Sequence, residues 1–366
     1  MNLCNISLRN FRNYEEISLE FAPGVNLIVG DNAQGKTNLL EAVAYLGTGK
    51  SFRAQKTAEM IRFSADFADM EGTVFSQERQ QTLRWVLFSD SRKRQLWRNG
   101  ARKKTAADVA GVLPSVLFCP EDLMVLKAGA SARRRLGDNA LSQLRPNYDA
   151  ALTEYNRILD QKSRILKDRY ENPALLDILP EYNARLCQVG ALLISYRARF
   201  FDSLGKEAAV YHDSFSGGAE EFALQYKTVS TVTDPFAPTS TLRDQLMEHL
   251  EKHYRAELDS AQCLTGPHKD DFTVSLSGID LKAYGSQGQT RTAAISLKLA
   301  QRKIMGSQHG EMPVLLLDDV LSELDPSRQD FVLNQIREGQ VFITCCEPGR
   351  FTKLGKTIEI EKGNVK

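Results

Sequence analysis

A short segment near the N-terminus has the residue types and the spacing that suit a bound phosphate group. Residues 30–37 have the sequence GDNAQGKT and match the pattern GxxxxGKT in full. In this pattern glycines let backbone N–H groups turn toward phosphate oxygens, Lys36 neutralises the β- and γ-phosphates, and Thr37 offers a hydroxyl to Mg²⁺. The segment therefore predicts a nucleotide site for ATP and Mg²⁺. Its expected contacts are Gly30, Asp31, Asn32, Ala33, Gln34, Gly35, Lys36 and Thr37.

Two adjacent carboxylates end an apolar segment later in the chain. Residues 314–319 have the sequence VLLLDD, which predicts a buried strand that delivers both acids close to the phosphate loop of a parallel sheet. We expect Asp318 to bind Mg²⁺, directly or through water, and Asp319 to orient an attacking water. An aspartate side chain is one methylene shorter than a glutamate and reaches less far toward the attacking water, so we expect slow catalysis.

Residues 284–289, YGSQGQ, form a third candidate ahead of a helical pattern. A serine hydroxyl, a glycine N–H and a helix N-terminus together suit a γ-phosphate, although a simple helix cap has the same residues. Asp325, followed by Pro326, is either a nucleotide contact or the cap of another helix. The site residues predicted here are Ser286, Gly288, Gln289 and Asp325. The predicted catalytic residues are Lys36, Ser286 and Asp319.

Basic residues cluster around Asn99-Gly100, a strong β-hairpin signal. Because the net charge is only +1, attraction to nucleic acid must come from local patches of this kind. The cluster could bind DNA phosphates or be ordinary solvated surface, and the sequence leaves both possibilities open. A second basic group follows the phosphate loop, and a third lies at 133–135. The candidate DNA contacts are Arg53, Lys56, Arg92, Lys93, Arg94, Arg98, Arg102, Lys103 and Lys104.

The segments that must position these groups are predicted to alternate between strands and helices. Apolar strands at 25–29, 314–317 and 341–345, with a helix that begins near residue 38, indicate an α/β nucleotide-binding core. Residues 131–212 are instead helical in pattern.

Within this helical segment, apolar residues step by three and four, which fits either a short coiled-coil hairpin or an amphipathic helix packed on a core. Those positions are Leu179, Tyr182, Leu186, Val189, Leu193, Tyr196 and Phe200. We therefore expect an ATPase head formed by residues 1–127 and 216–366, with a helical insertion domain at 128–215.

Composition is that of an ordinary globular protein, with 42% hydrophobic and 25% charged residues in 366. The N-terminus lacks a basic and then apolar leader, and no apolar run is long enough to span a bilayer, so we expect a cytoplasmic protein without a membrane partner. The six cysteines are scattered without a CxxC pair, which argues against a zinc site or a disulfide framework.

Taken together, the motifs resemble the RecF family of bacterial recombination-repair proteins, which are ATPases of the ABC/SMC head type. The resemblance is carried by LRNFRNYEEISLEFAPGVNLIVGDNAQGKTNLLEA, FCPEDL at 118–123, GPHKDD at 266–271, GSQGQ and LLLDDVLSELD, and it covers nearly the whole chain. It departs from the usual family pattern at Lys269 and at 136–138. Cys345 and Cys346 stand where many ABC proteins have a histidine, and this again predicts slow hydrolysis.

The resemblance implies a two-lobed head with a helical, coiled-coil-like insertion, and an ATP-dependent homodimer that encloses two nucleotides. It also implies a weak, DNA-dependent ATPase that uses hydrolysis as a timing switch. The implied partners are single-stranded, duplex or junction DNA together with RecR and RecO. The implied roles are RecA loading at gapped DNA, maintenance of replication forks and SOS induction.

Three other functions are compatible with a phosphate loop. A structural SMC-like clamp would bind ATP and hardly hydrolyse it, in keeping with Asp319 and Cys345. A transporter ATPase subunit is disfavoured because GSQGQ departs from LSGGQ, and a small-molecule kinase is disfavoured because no acceptor-site motif is present.

Overall fold

The computed structural model describes residues 1–347 and 349–366. Contacts divide the chain into two compact units, of which the first contains Met1–Leu123 with Lys298–Lys366 and the second contains Met124–Leu297. The division into a head and an insertion at 128–215 stays a prediction. None of the helices in the described part of the chain is long and apolar enough to cross a membrane.

The strands in chain order are β1 (Asn2–Phe11), β2 (Tyr14–Glu20), β3 (Val25–Val29), β4 (Phe67–Ser76), β5 (Arg79–Phe88), β6 (Gln95–Arg98), β7 (Ala101–Lys103), β8 (Ser115–Phe118), β9 (Phe222–Lys227), β10 (Asp271–Leu276), β11 (Ile279–Asp280), β12 (Val314–Leu317), β13 (Val341–Cys345), β14 (Lys356–Glu361) and β15 (Asn364–Val365). The α-helices are α1 (Lys36–Thr48), α2 (Ala130–Leu144), α3 (Pro146–Asp168), α4 (Leu179–Ser216), α5 (Thr239–Ser260), α6 (Leu281–Tyr284), α7 (Gln287–His309) and α8 (Pro326–Gln335).

The first unit contains two sheets. One is antiparallel, with the strand order β2-β1-β4-β5-β6-β7. The other has the order β15-β14-β3-β13-β12-β8, and its strands are parallel except for the pairing of β15 with β14. The apolar strands predicted at 25–29, 314–317 and 341–345 are confirmed with those bounds.

Helix α1 belongs to a core cluster that also contains residues from both sheets of this unit. All residues from Leu39 to Gly47 are buried. Because every residue of this stretch is buried, including Glu41, which pairs with Arg12, the helix is held in place by its surroundings on all sides. Since α1 begins at Lys36, its burial also fixes the end of the predicted phosphate loop.

The hairpin predicted at Asn99-Gly100 is confirmed. Both residues have positive φ, 52° and 72°, as a tight two-residue turn between antiparallel strands requires. The turn joins β6 to β7, so Arg98, Arg102 and Lys103 lie on the last two strands of the antiparallel sheet, while the basic residues 92–94 precede β6 and Lys104 follows β7.

The second unit combines α2–α6 and the start of α7 with the three-stranded antiparallel sheet β11-β10-β9. The long helix α4 packs against α3, α5 and β9. Five of the seven positions in the predicted apolar pattern are buried, while Tyr182 and Tyr196 are partly exposed. Helix α4 also buries Ile194, Phe201 and Leu204, so its packed surface is wider than a narrow heptad seam.

Candidate nucleotide-binding site

The predicted phosphate loop joins the end of β3 to the start of α1, as the pattern requires. Its last residue, Gly35, has φ 120°, which side-chain-bearing residues rarely adopt. A Cβ at Gly35 would lie 2.7 Å from the Asn13 side chain and 2.9 Å from the Tyr14 hydroxyl. Glycine is needed here both for the backbone conformation and for the close approach of β2.

Residues from distant parts of the chain hold the loop in place. Asn13 Nδ2 donates to the Gln34 carbonyl at 2.8 Å, and Tyr14 Oη donates to the Gly35 carbonyl at 2.8 Å. The backbone N–H of Gly363 also donates to the Gln34 carbonyl at 3.1 Å, and that of Lys362 donates to Gln34 Oε1 at 2.5 Å. The loop conformation is therefore set by its neighbours as well as by its own glycines.

The Lys36 side chain turns back into the loop. Its ammonium donates to the carbonyls of Gly30 and Asp31 at 2.7 and 3.0 Å, and to Cys346 Sγ at 3.3 Å. Lys36 is 4% exposed, so its charge lies within the loop rather than in bulk solvent. This arrangement suits the negative charge of a polyphosphate.

The two predicted Mg²⁺ ligands meet beside the loop. Thr37 Oγ1 and Thr344 Oγ1 each donate to Asp318 Oδ1 at 2.9 Å. Burial raises the pKa of Asp318, which is 7% exposed, and both hydroxyls act in the opposite direction. A hydroxyl and a carboxylate are the hard oxygen donors that Mg²⁺ takes together with phosphate oxygens, so these residues fit the ion.

Asp319 has a left-handed backbone, with φ 50° and ψ 8°. Its N–H donates to Thr344 Oγ1 at 2.8 Å, and its carbonyl accepts from Ser322 Oγ at 2.6 Å. Aspartate is one of the few residues that adopt this conformation without a large cost. The carboxylate therefore stands at a sharp turn at the end of β12, next to Asp318.

The adjacent cysteines differ in environment. Cys345 ends β13, and burial, together with the negative charge of Asp319, raises its thiol pKa to about 11. Cys345 is thus a neutral thiol near pH 7. Cys346 is exposed, contacts Lys36, and lies 3.1 Å from Asn32 Oδ1. Both cysteines were expected at the end of the predicted strand, but the contact of Cys346 with the phosphate loop was not.

Asp325 caps a helix. Its side chain accepts from the Arg328 N–H at 3.1 Å and forms an ion pair with the Arg328 guanidinium at the start of α8. These are the contacts of the capping alternative considered above. Its contact with nucleotide stays a prediction.

Residues 284–289, called the signature segment below, belong to the second unit. The Ser286 N–H donates to Gln289 Oε1 at 3.0 Å, and the Gln289 N–H donates to Ser286 Oγ at 3.2 Å. This reciprocal pair resembles a capping box and fixes the first turn of α7. Ser286 is exposed, at a helix N-terminus of the kind that attracts anions.

Two other segments of the RecF-like pattern have structural contacts. Asp122 forms an ion pair with Lys298 at 2.9 Å, and Lys298 also donates to the Leu117 carbonyl at 2.8 Å. His268 contacts the Tyr155 hydroxyl at 2.7 Å and the Cys263 carbonyl at 3.0 Å, and burial lowers its pKa to about 4. Both ring nitrogens of His268 are thus taken by neutral groups, a tyrosine hydroxyl and a backbone carbonyl.

The basic cluster contains residues with different surroundings. Arg94 donates to Tyr45 Oη at 2.9 Å and to the Gly49 carbonyl, and Arg98 donates to Gln81 and to the Asp108 carbonyl. Arg92 pairs with Asp90 at 2.9 Å. In the part of the chain that the structure describes, the exposed side chains of Lys93, Arg102 and Lys104 form no hydrogen bond or ion pair.

Near the phosphate loop, the Arg53 guanidinium donates to Asn38 Oδ1 at 3.0 Å. Lys56 is exposed just before a short 3₁₀ turn. Both residues lie in the segment that follows α1, in the same unit as the phosphate loop. Their role in binding DNA stays a prediction, as does that of Lys103.

Comparison with known proteins gives one consistent result. Residues 2–366 match the RecF/RecN/SMC N terminal domain family. The chain is 40% identical over 378 residues to the DNA replication and repair protein RecF of Listeria welshimeri, with all of both chains covered. It is 38% identical over 369 residues to that of Agathobacter rectalis, covering 100% of this chain and 99% of the relative. It is 37% identical over 345 residues to that of Clostridium perfringens, covering 94% and 93%.

Solved structures agree with this result. The recombination mediator protein RecF-ATPrS in the RecFOR pathway superposes with a TM-score of 0.93 at 32% identity, covering 100% of this chain and 97% of the other. An Smc head domain of Pyrococcus furiosus shares the fold, with a TM-score of 0.56 at 16% identity and coverage of 100% and 95%. The chain belongs to the RecF family of DNA replication and repair proteins, and it has the α/β fold of an ABC/SMC-type ATPase head with a helical insertion.

Proposed function

We propose that this chain is an ATP-dependent DNA-binding protein of recombinational repair, in which ATP drives pairing of two copies and hydrolysis releases DNA. The observation that carries the proposal is the convergence of Lys36, Thr37 and Asp318 around one preformed loop. Support comes also from relatives named for DNA replication and repair, and from a RecF structure with ATP.

The phosphate loop would bind the β- and γ-phosphates through its N–H groups and the Lys36 ammonium. Thr37 and Asp318 would hold Mg²⁺, which when bound offsets negative charge on the phosphates. Asp319 would orient the attacking water as a general base. The rest of the loop, residues 30–35, would surround the phosphates.

The signature segment of a second copy would close the γ-phosphate side of the site. Ser286 is exposed beside a helix N-terminus, and Gly288 and Gln289 lie in the same first turn. A two-fold pairing that uses the loop of one chain and the signature segment of the other creates two equivalent sites. Asp325 would lie at this pairing surface. Loss of the shared γ-phosphate would then weaken the dimer and release DNA.

Slow hydrolysis suits a timing switch. The short Asp319 side chain and the neutral Cys345 thiol both favour low turnover. The partners proposed here are RecR and RecO, because a similar structure is described within the RecFOR pathway. We further propose that the chain acts in the cytoplasm, promotes RecA loading at gapped DNA, and supports replication forks and SOS induction.

The first test is the mass of the protein with and without nucleotide. With ATP and Mg²⁺, light scattering is expected to shift from 41.0 kDa toward twice that mass. A Lys36→Met variant should stay monomeric because it lacks the ammonium beside the phosphates. Lys206→Met, which removes an exposed lysine paired with Asp202, serves as the control and should shift like the wild type. A wild-type chain that stays monomeric at saturating ATP contradicts the pairing.

The second test is the salt dependence of DNA binding. Reversal of Lys93, Arg102 and Lys104 to glutamate is expected to weaken binding and to flatten the plot of log affinity against log salt by about two to three units, roughly 0.9 for each lost phosphate contact. The matched control reverses Arg157, Arg164 and Lys167, three exposed residues of α3. An unchanged slope in the first variant would exclude the hairpin as the contact.

A second candidate function is an SMC-like clamp with negligible hydrolysis. The same two features, a short carboxylate at Asp319 and a neutral thiol at Cys345, favour it. A single-turnover measurement distinguishes the two functions. If the dimer leaves DNA before its bound ATP is hydrolysed, hydrolysis does not time the release, and the clamp function is favoured.

A further inference from the structure

Three hydrogen-bonded contacts in the second unit connect the long helix α4 to the signature segment. His212 Nε2 lies 2.9 Å from Glu220 Oε2. Gln289 Nε2 donates to Glu220 Oε1 at 2.7 Å. The other end of the same amide, Gln289 Oε1, accepts from the Ser286 N–H at 3.0 Å. One carboxylate thus joins a helix of the insertion to the residues proposed to face the γ-phosphate.

The local sequence explains why Glu220 returns to His212. Helix α4 ends at two glycines with left-handed backbones, Gly217 and Gly218, with φ of 65° and 81°. These residues reverse the chain, as glycines commonly do at a helix C-terminus. The residue after Glu220, Glu221, is hydrogen-bonded to Ser277. The Ser277 N–H donates to the Glu221 carbonyl at 2.7 Å, and Ser277 Oγ accepts from the Glu221 N–H at 3.2 Å.

His212 depends on this contact. The side chain is 0% exposed and its ring packs against Phe222 at 5.5 Å between centroids. Within the described residues, Nδ1 of His212 has no hydrogen-bond partner, so Glu220 supplies the contact to its other nitrogen. A buried imidazole left without either partner is unfavourable, and this keeps Glu220 in place.

The orientation of Gln289 depends on the same carboxylate. An amide has a donor end and an acceptor end, and here Glu220 takes the donor end while Ser286 takes the acceptor end. The hydrogen bond from Gln289, together with that from His212, lowers the pKa of Glu220 and keeps it ionised. Without the Glu220 carboxylate, the Gln289 side-chain amide is free to rotate, and its hydrogen bond from the Ser286 N–H is lost.

We propose that Glu220 is a positioning residue that orients Gln289 and Ser286 and connects the signature segment to the end of α4. Displacement of that helix end is thereby passed to the groups that meet nucleotide on the partner copy. The inference rests on the proposed function, in which the signature segment completes the ATP site of a second chain.

Glu220→Ala is expected to leave ATP binding to the single chain within about twofold, because the phosphate loop is intact. ATP-dependent association and kcat should each fall by about tenfold or more, since hydrogen bonds to a charged group are lost. Glu220→Gln should retain both within about threefold, because its carbonyl still accepts from Gln289 and its amide can donate to His212. The control is Glu221→Ala, which removes the neighbouring exposed carboxylate.

Hydrogen exchange gives a readout that needs no nucleotide. The backbone amides of Ser286 and Gln289 should exchange faster in Glu220→Ala than in wild type, and at wild-type rates in Glu221→Ala. Unchanged exchange, or a Glu220→Gln variant as impaired as Glu220→Ala, overturns the inference. A wild-type chain that never associates with ATP overturns the proposed function instead, and the exchange result then decides the positioning role alone.

Discussion

Mixing a Lys36→Met variant with a Ser286→Arg variant is expected to restore ATP hydrolysis that neither variant shows alone. Lys36→Met removes the ammonium from the phosphate loop, and Ser286→Arg places a bulky cation at the start of α7. In a mixed pair, both substitutions fall in the same site. The other site then contains an unaltered loop and an unaltered signature segment, so it is active.

The size of the recovery follows from the symmetry. A pair of identical variants has no intact site and does not form, as expected above for Lys36→Met. The dimers in the mixture are therefore mixed ones, each with one of two sites intact, and the rate should reach up to about half that of the wild type. A chain that carries both substitutions provides the control. Mixed with wild type, it damages both sites of any mixed pair, so it should add no activity to that of the wild-type chains. Hydrolysis by Ser286→Arg alone, in a monomer, would show that one chain encloses the nucleotide.

Asp319→Asn is expected to lower kcat by roughly a hundredfold or more while the ATP-bound dimer persists. The substitution removes the base that orients water, a contribution of about 10² to 10⁴ in many enzymes. Asparagine keeps the size of the side chain and also tolerates the left-handed backbone at this position, so the turn after β12 should be preserved. The measurement is single-turnover hydrolysis together with dimer lifetime by light scattering.

Asp318→Asn is expected to differ from Asp319→Asn because it affects ATP binding as well as hydrolysis. It removes a carboxylate that accepts from Thr37 and Thr344, and should weaken Mg²⁺-dependent ATP binding as well as hydrolysis. A variant Asp319→Asn that hydrolyses ATP within about threefold of wild type would assign the base to another residue.

The parts of the site that were predictable are those encoded by consecutive residues. The phosphate loop and the strand that ends at Asp318 both follow from local patterns, apolar runs bounded by glycines or acids. Their meeting was also predictable, because the carboxyl ends of parallel strands lie at one edge of a sheet.

Contacts between distant residues were not predictable in this way. Asn13 and Tyr14 hold the phosphate loop from outside its own sheet. Both lie in the first RecF-like segment, but nothing in the local pattern around them indicates a contact with the loop. Glu220 was overlooked for the same reason, since its partners come from α4 and α7. Arg94 looked like part of a basic surface, but its guanidinium bonds to Tyr45, which only the packing of α1 and β5 brings near.

The late position of β14 and of the turn that follows it affects biosynthesis. Lys362 donates to Gln34 across a separation of 328 residues. At a translation rate of about 5 to 20 residues per second, the residues that make these contacts are synthesised roughly 16 to 66 s after the loop. A chain still being translated therefore lacks part of the support of its phosphate loop until these last residues are made.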